Sequence, residues 1–399
     1  MMYSLPSKNL IGRGCLQELG GQVQDFGFRK ALVVTDRFLN VTGVVRQVTD
    51  QLDKVNVSYV IYDEVKPNPT CAQVDKGLWL LKEEGCDFIL SIGGGSPQDC
   101  ASAISILATN GGNIRDYEGL HKSKKVGFPT IAVNTTAGTS AEITINYVIT
   151  DEDRGVKMVC VDKNSIALLS VNDPELMVDK PADLTAATGM DALTHAIETI
   201  VTPGANVITD ATALQAVKLI FEALPTAVRD GRNIDAREKM VNACFLAGMA
   251  FSNAGLGFVH AMAHQLGGLY DLPHGVCNAM LLPIVERENA KRVPEKFRLI
   301  ADALGFDTEG RSDVACSNYV IERIIELSEE VGIPKSLKEL GVENPDLELL
   351  AENALKDACA PGNPYMPTKE ETIAMFKEIV EPRDVTVTIV ETTEWITRD

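Results

Sequence analysis

Residues 87–110 read DFILSIGGGSPQDCASAISILATN. Asp87 to Ile92 is a short apolar run bounded by a glycine cluster, which predicts a buried strand rather than a helix. Gly93, Gly94 and Gly95 follow, and Ser96-Pro97-Gln98-Asp99 open a helix that runs to about Asn110. Glycines let a backbone approach a phosphate closely, Ser96 can cap the helix, Pro97 suits its first turn, and the free amides there attract an anion. The same residues also suit an ordinary strand-to-helix turn. By itself the stretch predicts half of a βαβ unit.

Working outward, similar β-rich runs occur at Lys30 to Asp36 (KALVVTD), Val57 to Tyr62 (VSYVIY) and Thr130 to Asn134 (TIAVN), with amphipathic stretches between them. Strands alternating with helices predict an α/β domain with a mostly parallel, Rossmann-like sheet. Asn146 to Thr150 and Val156 to Asp162, joined by Asp151-Glu152-Asp153-Arg154-Gly155, read as a β-hairpin. From Pro181 the texture changes to Ala, Leu, Met and Glu at helical spacing. We therefore expect two domains, residues 1–180 and an all-α 181–399. The tail Val385 to Val390 (VTVTIV) alternates like an added edge strand.

Composition excludes several classes. The 399 residues are 45% hydrophobic, and no apolar run reaches the roughly 18 residues a membrane span needs. A net charge of −19 repels nucleic acid and anionic lipid, so neither is expected as a partner. The one dense basic cluster, Lys122, Lys124 and Lys125 beside His121, reads as a solvated turn. Nine dispersed cysteines form no Cys-x-x-Cys, which argues against a zinc finger and a disulfide framework and for free thiols in a reducing cytoplasm. The N-terminus lacks the pattern of a secretory signal.

Four of the five histidines, His195, His260, His264 and His274, fall within residues 195–274. Asp191 precedes His195 by four, and His260 precedes His264 by four, so each pair shares a helical face. A lone histidine on an apolar face is usually a hydrogen-bonded core residue. Two such pairs plus His274 after Pro273 point instead to a divalent-metal centre, a Lewis acid, with one histidine too many. HAMAH lacks the glutamate of a His-Glu-x-x-His protease. Upstream, Thr135-Thr136-Ala137-Gly138-Thr139-Ser140 offers a second polar loop at the carboxyl edge of the sheet, where ligands bind in such folds. Gly-x-Gly-x-x-Gly is absent, and Gly12-Arg13-Gly14 precedes the first clear strand. Asp36 ends a strand, where it can cap a helix or accept ribose hydroxyls and disfavour a 2′-phosphate, favouring NAD over NADP.

Taken together, VTD (34–36), PNPT (67–70), GGGSPQD (93–99), NTTAGT (134–139), NDPELM (172–177), ATGMDALTHAIE (187–198) and GLGFVHAMAHQLGGLYDLPHGVCNAMLLP (255–283) resemble the iron-containing (group III) alcohol dehydrogenases over roughly residues 5–380. The resemblance implies a dehydroquinate synthase-like pairing of domains and a homodimer or larger homo-oligomer. It assigns the metal ligands to Asp191, His195, His260 and His274, and places His264 near the nicotinamide as a proton-relay or positioning group. It places NAD against Asp36, Asn68, Gly94, Gly95, Ser96, Thr135, Thr136 and Thr139, with Lys157 and Leu176 as weaker transfers. Asn146 and Phe251 would line the substrate pocket. A segment from about residue 382 extends past the family's usual end.

The implied reaction is NAD-linked interconversion of an alcohol and its aldehyde or ketone, with Fe2+ as the metal. Residue types alone admit Zn2+, which the usual affinity order favours. No Lys or Arg occurs from Pro181 to Val217 or from Met240 to Glu286, the stretches that supply the ligands. An anionic substrate would want a cation there, so short neutral alcohols, diols or aldehydes are expected. Two alternatives are a metal-dependent lyase of the dehydroquinate synthase type, which the missing cations disfavour, and a non-catalytic metal-binding protein.

Overall fold

The structure, a computed structural model, describes residues 3–380. Its first part runs β1 (Lys8–Ile11), α1 (Leu19–Phe26), β2 (Lys30–Asp36), α2 (Arg37–Val41), α3 (Val44–Asp53), β3 (Ser58–Val65), α4 (Cys71–Glu83), β4 (Phe88–Gly93), α5 (Gly95–Asn110), β5 (Gly119–Leu120), β6 (Thr130–Asn134), β7 (Asn146–Asp151), β8 (Val156–Val161) and β9 (Leu169–Asn172). Six strands pair wholly in parallel in the order β1-β9-β6-β4-β2-β3. Parallel pairing requires crossovers, and the helices that supply them cover both faces. Side-chain alternation in β2 shows this: Leu32 and Val34 join the core under α4 and α5, whereas Ala31 and Val33 join the core under α1 and α3.

The hairpin forms as the turn predicts, with Asn146 opposite Val161 and Asp151 opposite Val156. Together with β5 it makes a separate three-stranded sheet. Two readings of the sequence need correction. Gly12-Arg13-Gly14 follows a strand, β1, which is too short for its periodicity to show. Ser96 does not cap α5, because the helix already starts at Gly95 and Gly94 occupies the cap position. Ser96 and Pro97 lie within the first turn.

The rest of the described chain is helical: α6 (Ala182–Val201), α7 (Val207–Arg229), α8 (Ile234–Ala254), α9 (Phe258–Tyr270), α10 (His274–Ala290), α11 (Pro294–Ala303), α12 (Asp313–Glu330), α13 (Leu347–Ala354) and α14 (Lys369–Val380). Helix α6 is the axis, buried at every position from Gly189 to Val201 against α7, α8 and α10. A helix covered on all sides is expected to be apolar all round. Asp191, His195 and Glu198 break that rule on one face, and burying them is costly unless each finds a partner. The strand read at Val385 to Val390 lies outside the described residues. Among those described, no single helix is long and apolar enough to cross a membrane.

Candidate active site

Three helices converge on one carboxylate. Helix α6 carries Asp191 and His195, α9 carries His260, and α10 opens on His274. Gly275 makes the last approach possible, since a Cβ there would lie 2.3 Å from the Ala187 carbonyl oxygen of α6. The Nε2 atoms of His274, His260 and His195 consequently lie 3.5, 3.8 and 4.0 Å from Asp191 Oδ1. Two donors bound about 2.1 Å from one tetrahedral ion stand roughly 3.4 Å apart. One ligand atom each of Asp191, His195 and His260 lies within 4.8 Å of the other two, a spacing near that of donors on one divalent ion, and His274 approaches the same oxygen.

Asn278, one turn after His274, points into the same focus. Its Nδ2 donates to Asp191 Oδ1 at 2.7 Å and lies 3.1 Å from Nε2 of both His260 and His274. With one of its two protons on Asp191, the amide has one left for the two rings, so at most one of these Nε2 atoms accepts from it and the other keeps its lone pair free for a metal. Glu198 sets the tautomer of His260. Its Oε2 accepts the Nδ1 proton at 2.5 Å, while Oε1 accepts the backbone amides of Val259 at 2.7 Å and His260 at 3.3 Å. One carboxylate thus closes the free start of α9 and orients its first ligand.

The electrostatics agree with metal binding. Burial holds His260 and His274 well below the usual imidazole value, so both are neutral near pH 7. Burial alone would raise the Asp191 carboxyl, but His195, His274 and His260 bring it below the ordinary carboxylate value. Burial pushes Glu198 up to about 7 against the pull of the amides of Gly257, His260 and Val259. His195 stacks on Phe251 with ring centroids 4.2 Å apart, and its buried Nδ1 has no hydrogen-bond partner among the described residues.

His264 stands outside this focus. Its Nδ1 lies 3.0 Å from Asp357 Oδ2, and its ring stacks on that of His274 at 5.5 Å. A cavity of about 640 Å³ opens over all four histidines and Asp191 and reaches Asn68, Gly95, Ser96, Thr139, Asn146, Lys157 and Phe251. Gly94, Thr135 and Thr136 are not in that lining. They join the two loops: a Cβ on Gly94 would meet the Thr136 side chain at 2.9 Å. Asp36 is also outside it, capping α2 by accepting the Leu39 amide at 2.8 Å. Leu176 is buried in the core under α1 and α3 and borders a separate hollow with Gly14 and Gln47.

The cavity is not free of cations as the ligand-bearing stretches are, because Lys157 enters it from β8. Its Nζ donates to Asn68 Oδ1 at 2.8 Å, and Asn68 Nδ2 donates to Asp271 Oδ1 at 2.6 Å. Sequence reasoning also passed over Glu198, Asn278, Asp99, Asp357 and Cys359. Glu198 is three residues after His195 and Asn278 four after His274, so helical spacing could have flagged both. Asp99 lines the cavity from α5, where burial pushes its carboxyl up to about 8.

Residues 6–174 match the family model described as iron-containing alcohol dehydrogenase, and residues 185–380 match that of the Fe-containing alcohol dehydrogenase family, C-terminal. The chain belongs to the iron-containing alcohol dehydrogenases. It is 48% identical to alcohol dehydrogenase 4 of Schizosaccharomyces pombe, covering 94% of this chain and 88% of the relative. It is 44% identical to the NAD-dependent methanol dehydrogenase of Bacillus methanolicus, covering 94% and 98%. The solved structure of a 1,3-propanediol oxidoreductase superposes with a TM-score of 0.93 at 46% identity, covering 95% of this chain and 99% of that one. As a family member the chain is a metal-dependent alcohol oxidoreductase built from a parallel α/β part and a helical part. The lyase and the non-catalytic reading find no support among these relatives.

Proposed function

We propose that Asp191, His195, His260 and His274 hold Fe2+, that NAD lies across the loops after β4 and β6, and that the enzyme interconverts short neutral alcohols or diols with their aldehydes or ketones. The observation that carries this reading is the convergence of three Nε2 atoms on Asp191 Oδ1 in the wall of a cavity that Gly95, Ser96 and Thr139 also line. Residues 1–180 would then hold the dinucleotide and 181–399 the metal. When bound, the ion supplies Lewis acidity to the substrate oxygen and NAD accepts the hydride.

The chain's own residues do the rest. Gly95 and Ser96 present the start of α5 to the pyrophosphate, and Asp36 at the end of β2 would take the ribose hydroxyls with its remaining lone pairs. Lys157 and Asn68 would steady the nicotinamide half. His264, backed by Asp357, can accept a proton at Nε2 and pass it to solvent, because the carboxylate stabilises the imidazolium. Asn146 and Phe251 bound the space left for substrate. Lys157 is engaged by Asn68 and faces Asp99 and Asp271, so it offers little to an anionic substrate. The free cysteines favour a reducing cytoplasm, and the family resemblance a homo-oligomer.

The test is anaerobic metal removal, refilling with iron or zinc, and NAD reduction rates with methanol, ethanol, 1,2-propanediol, 1,3-propanediol and glycerol. Turnover of at least one of these with iron is expected. Strong activity with a hydroxy acid and none with the neutral alcohols would overturn the substrate reading.

A further inference from the structure

Beside the Asp191 focus is a second cluster, two of whose three members, His264 and Cys359, line the same cavity. One ligand atom each of His264, Asp357 and Cys359 lies within 4.8 Å of the other two. His264 comes from α9 and the other two from the connection between α13 and α14. The His264 Nδ1 to Asp357 Oδ2 separation of 3.0 Å is already close to the roughly 3.4 Å expected of two donors on one tetrahedral ion. The loop is held in place, since the Cys359 amide donates to Asp357 Oδ1 at 2.9 Å and Gln265 Nε2 donates to Asp357 Oδ2 at 3.2 Å. His264 and Cys359 both face the cavity, so an ion can enter and keep solvent as its fourth ligand.

We propose that His264, Asp357 and Cys359 form a second metal site, thiolate-bearing and selective for zinc, which when filled withdraws His264 from catalysis. The inhibitory part rests on the proton role given to His264 above. The binding part stands on the cluster alone. Sulfur separates the two sites chemically: the Asp191 focus offers only nitrogen and oxygen, whereas a thiolate favours the softer ion. On binding, the Cys359 thiol releases its proton to solvent, the proton that His264 Nδ1 holds against Asp357 moves to Nε2 so that the ring stays neutral, zinc takes its place at Nδ1, and no electron moves. His264 Nδ1 then carries the metal, and the carboxylate that stabilised its protonated form is neutralised.

Cobalt titration of the metal-stripped full chain reads the two sites separately. Two equivalents per chain are expected, one of them with a near-ultraviolet thiolate-to-cobalt charge-transfer band and one without. Cys359→Ser should bind one equivalent with no such band, and Asp357→Asn, a second variant should serine disturb the loop, should weaken the banded equivalent by about tenfold or more. With the iron-loaded enzyme, zinc should slow NAD reduction in the wild type, and Cys359→Ser should need about tenfold more zinc for the same effect. Absence of the band, its persistence in Cys359→Ser, or equal zinc sensitivity of the two proteins would overturn the proposal. Loss of the band-free equivalent would instead count against the Asp191 site.

Discussion

Replacing Glu198 by glutamine changes one atom in the side chain and should loosen the metal. In the structure Oε1 accepts two backbone amides at the start of α9 and Oε2 accepts His260 Nδ1 at 2.5 Å. A glutamine can keep Oε1 on the amides only by turning its NH2 toward Nδ1, where two donors would face each other. The imidazole escapes by moving its proton to Nε2, the atom aimed at Asp191. Losing such an outer partner typically costs 10- to 100-fold in metal affinity, about 1.4–2.7 kcal/mol. Chelator competition on the iron- and zinc-loaded proteins measures it directly. A thermal check is independent, because the gain in stability on adding metal should shrink by the same amount. Unchanged affinity with an unchanged fold would show that Glu198 only closes the helix start and does not set the His260 tautomer.

Other outcomes follow from the same geometry. His264→Ala should keep the first metal and lose much of the rate, about 100-fold or more, whereas His260→Ala should lose the metal; equal metal retention by elemental analysis would contradict this division. Gly94→Ala should destabilise the protein by about 1–3 kcal/mol in urea unfolding and weaken NAD, and Thr136→Ala in the same chain should recover most of the stability. No recovery would show that the Thr136 contact is not the cause. Glu142 is buried, its oxygens lack good hydrogen-bond partners, and burial pushes it up to about 7 despite the nearby amides of Asn172 and Asn134. The folded state therefore binds the proton more tightly than the unfolded chain, so stability should fall as pH rises from about 4.5 to about 7. Glu142→Gln should flatten that fall and be more stable at pH 8 by at most about 3 kcal/mol, and a variant as pH-sensitive as the parent in chemical unfolding would refute the assignment.

Much of the fold was legible because burial writes a period into the sequence. KALVVTD and TIAVN match β2 and β6 at both ends, and DFILSIGGGSP marks the turn into α5 to within a residue. β1 and β9 escaped because four residues are too few to show alternation, yet β9 lies inside the sheet between β1 and β6. At the site, i, i+4 spacing revealed the histidines but not which stands apart. That depends on partners distant in sequence, such as Asp357, 93 residues beyond His264, and they meet only when helices pack. The inference of cation-free surroundings failed similarly: Lys157 belongs to a strand far from the ligands in sequence, and folding swings it into their cavity.

All four donors of the Asp191 focus come from α6, α9 and α10, and none comes from the sheet or its loops. Of the glycines and threonines proposed for the dinucleotide, Gly95 and Thr139 line the same cavity, and all of them come from the loops after β4 and β6. On the proposed assignment, then, the ion's ligands belong to the helical half and the dinucleotide's contacts to the sheet half, so each can be exchanged without the other.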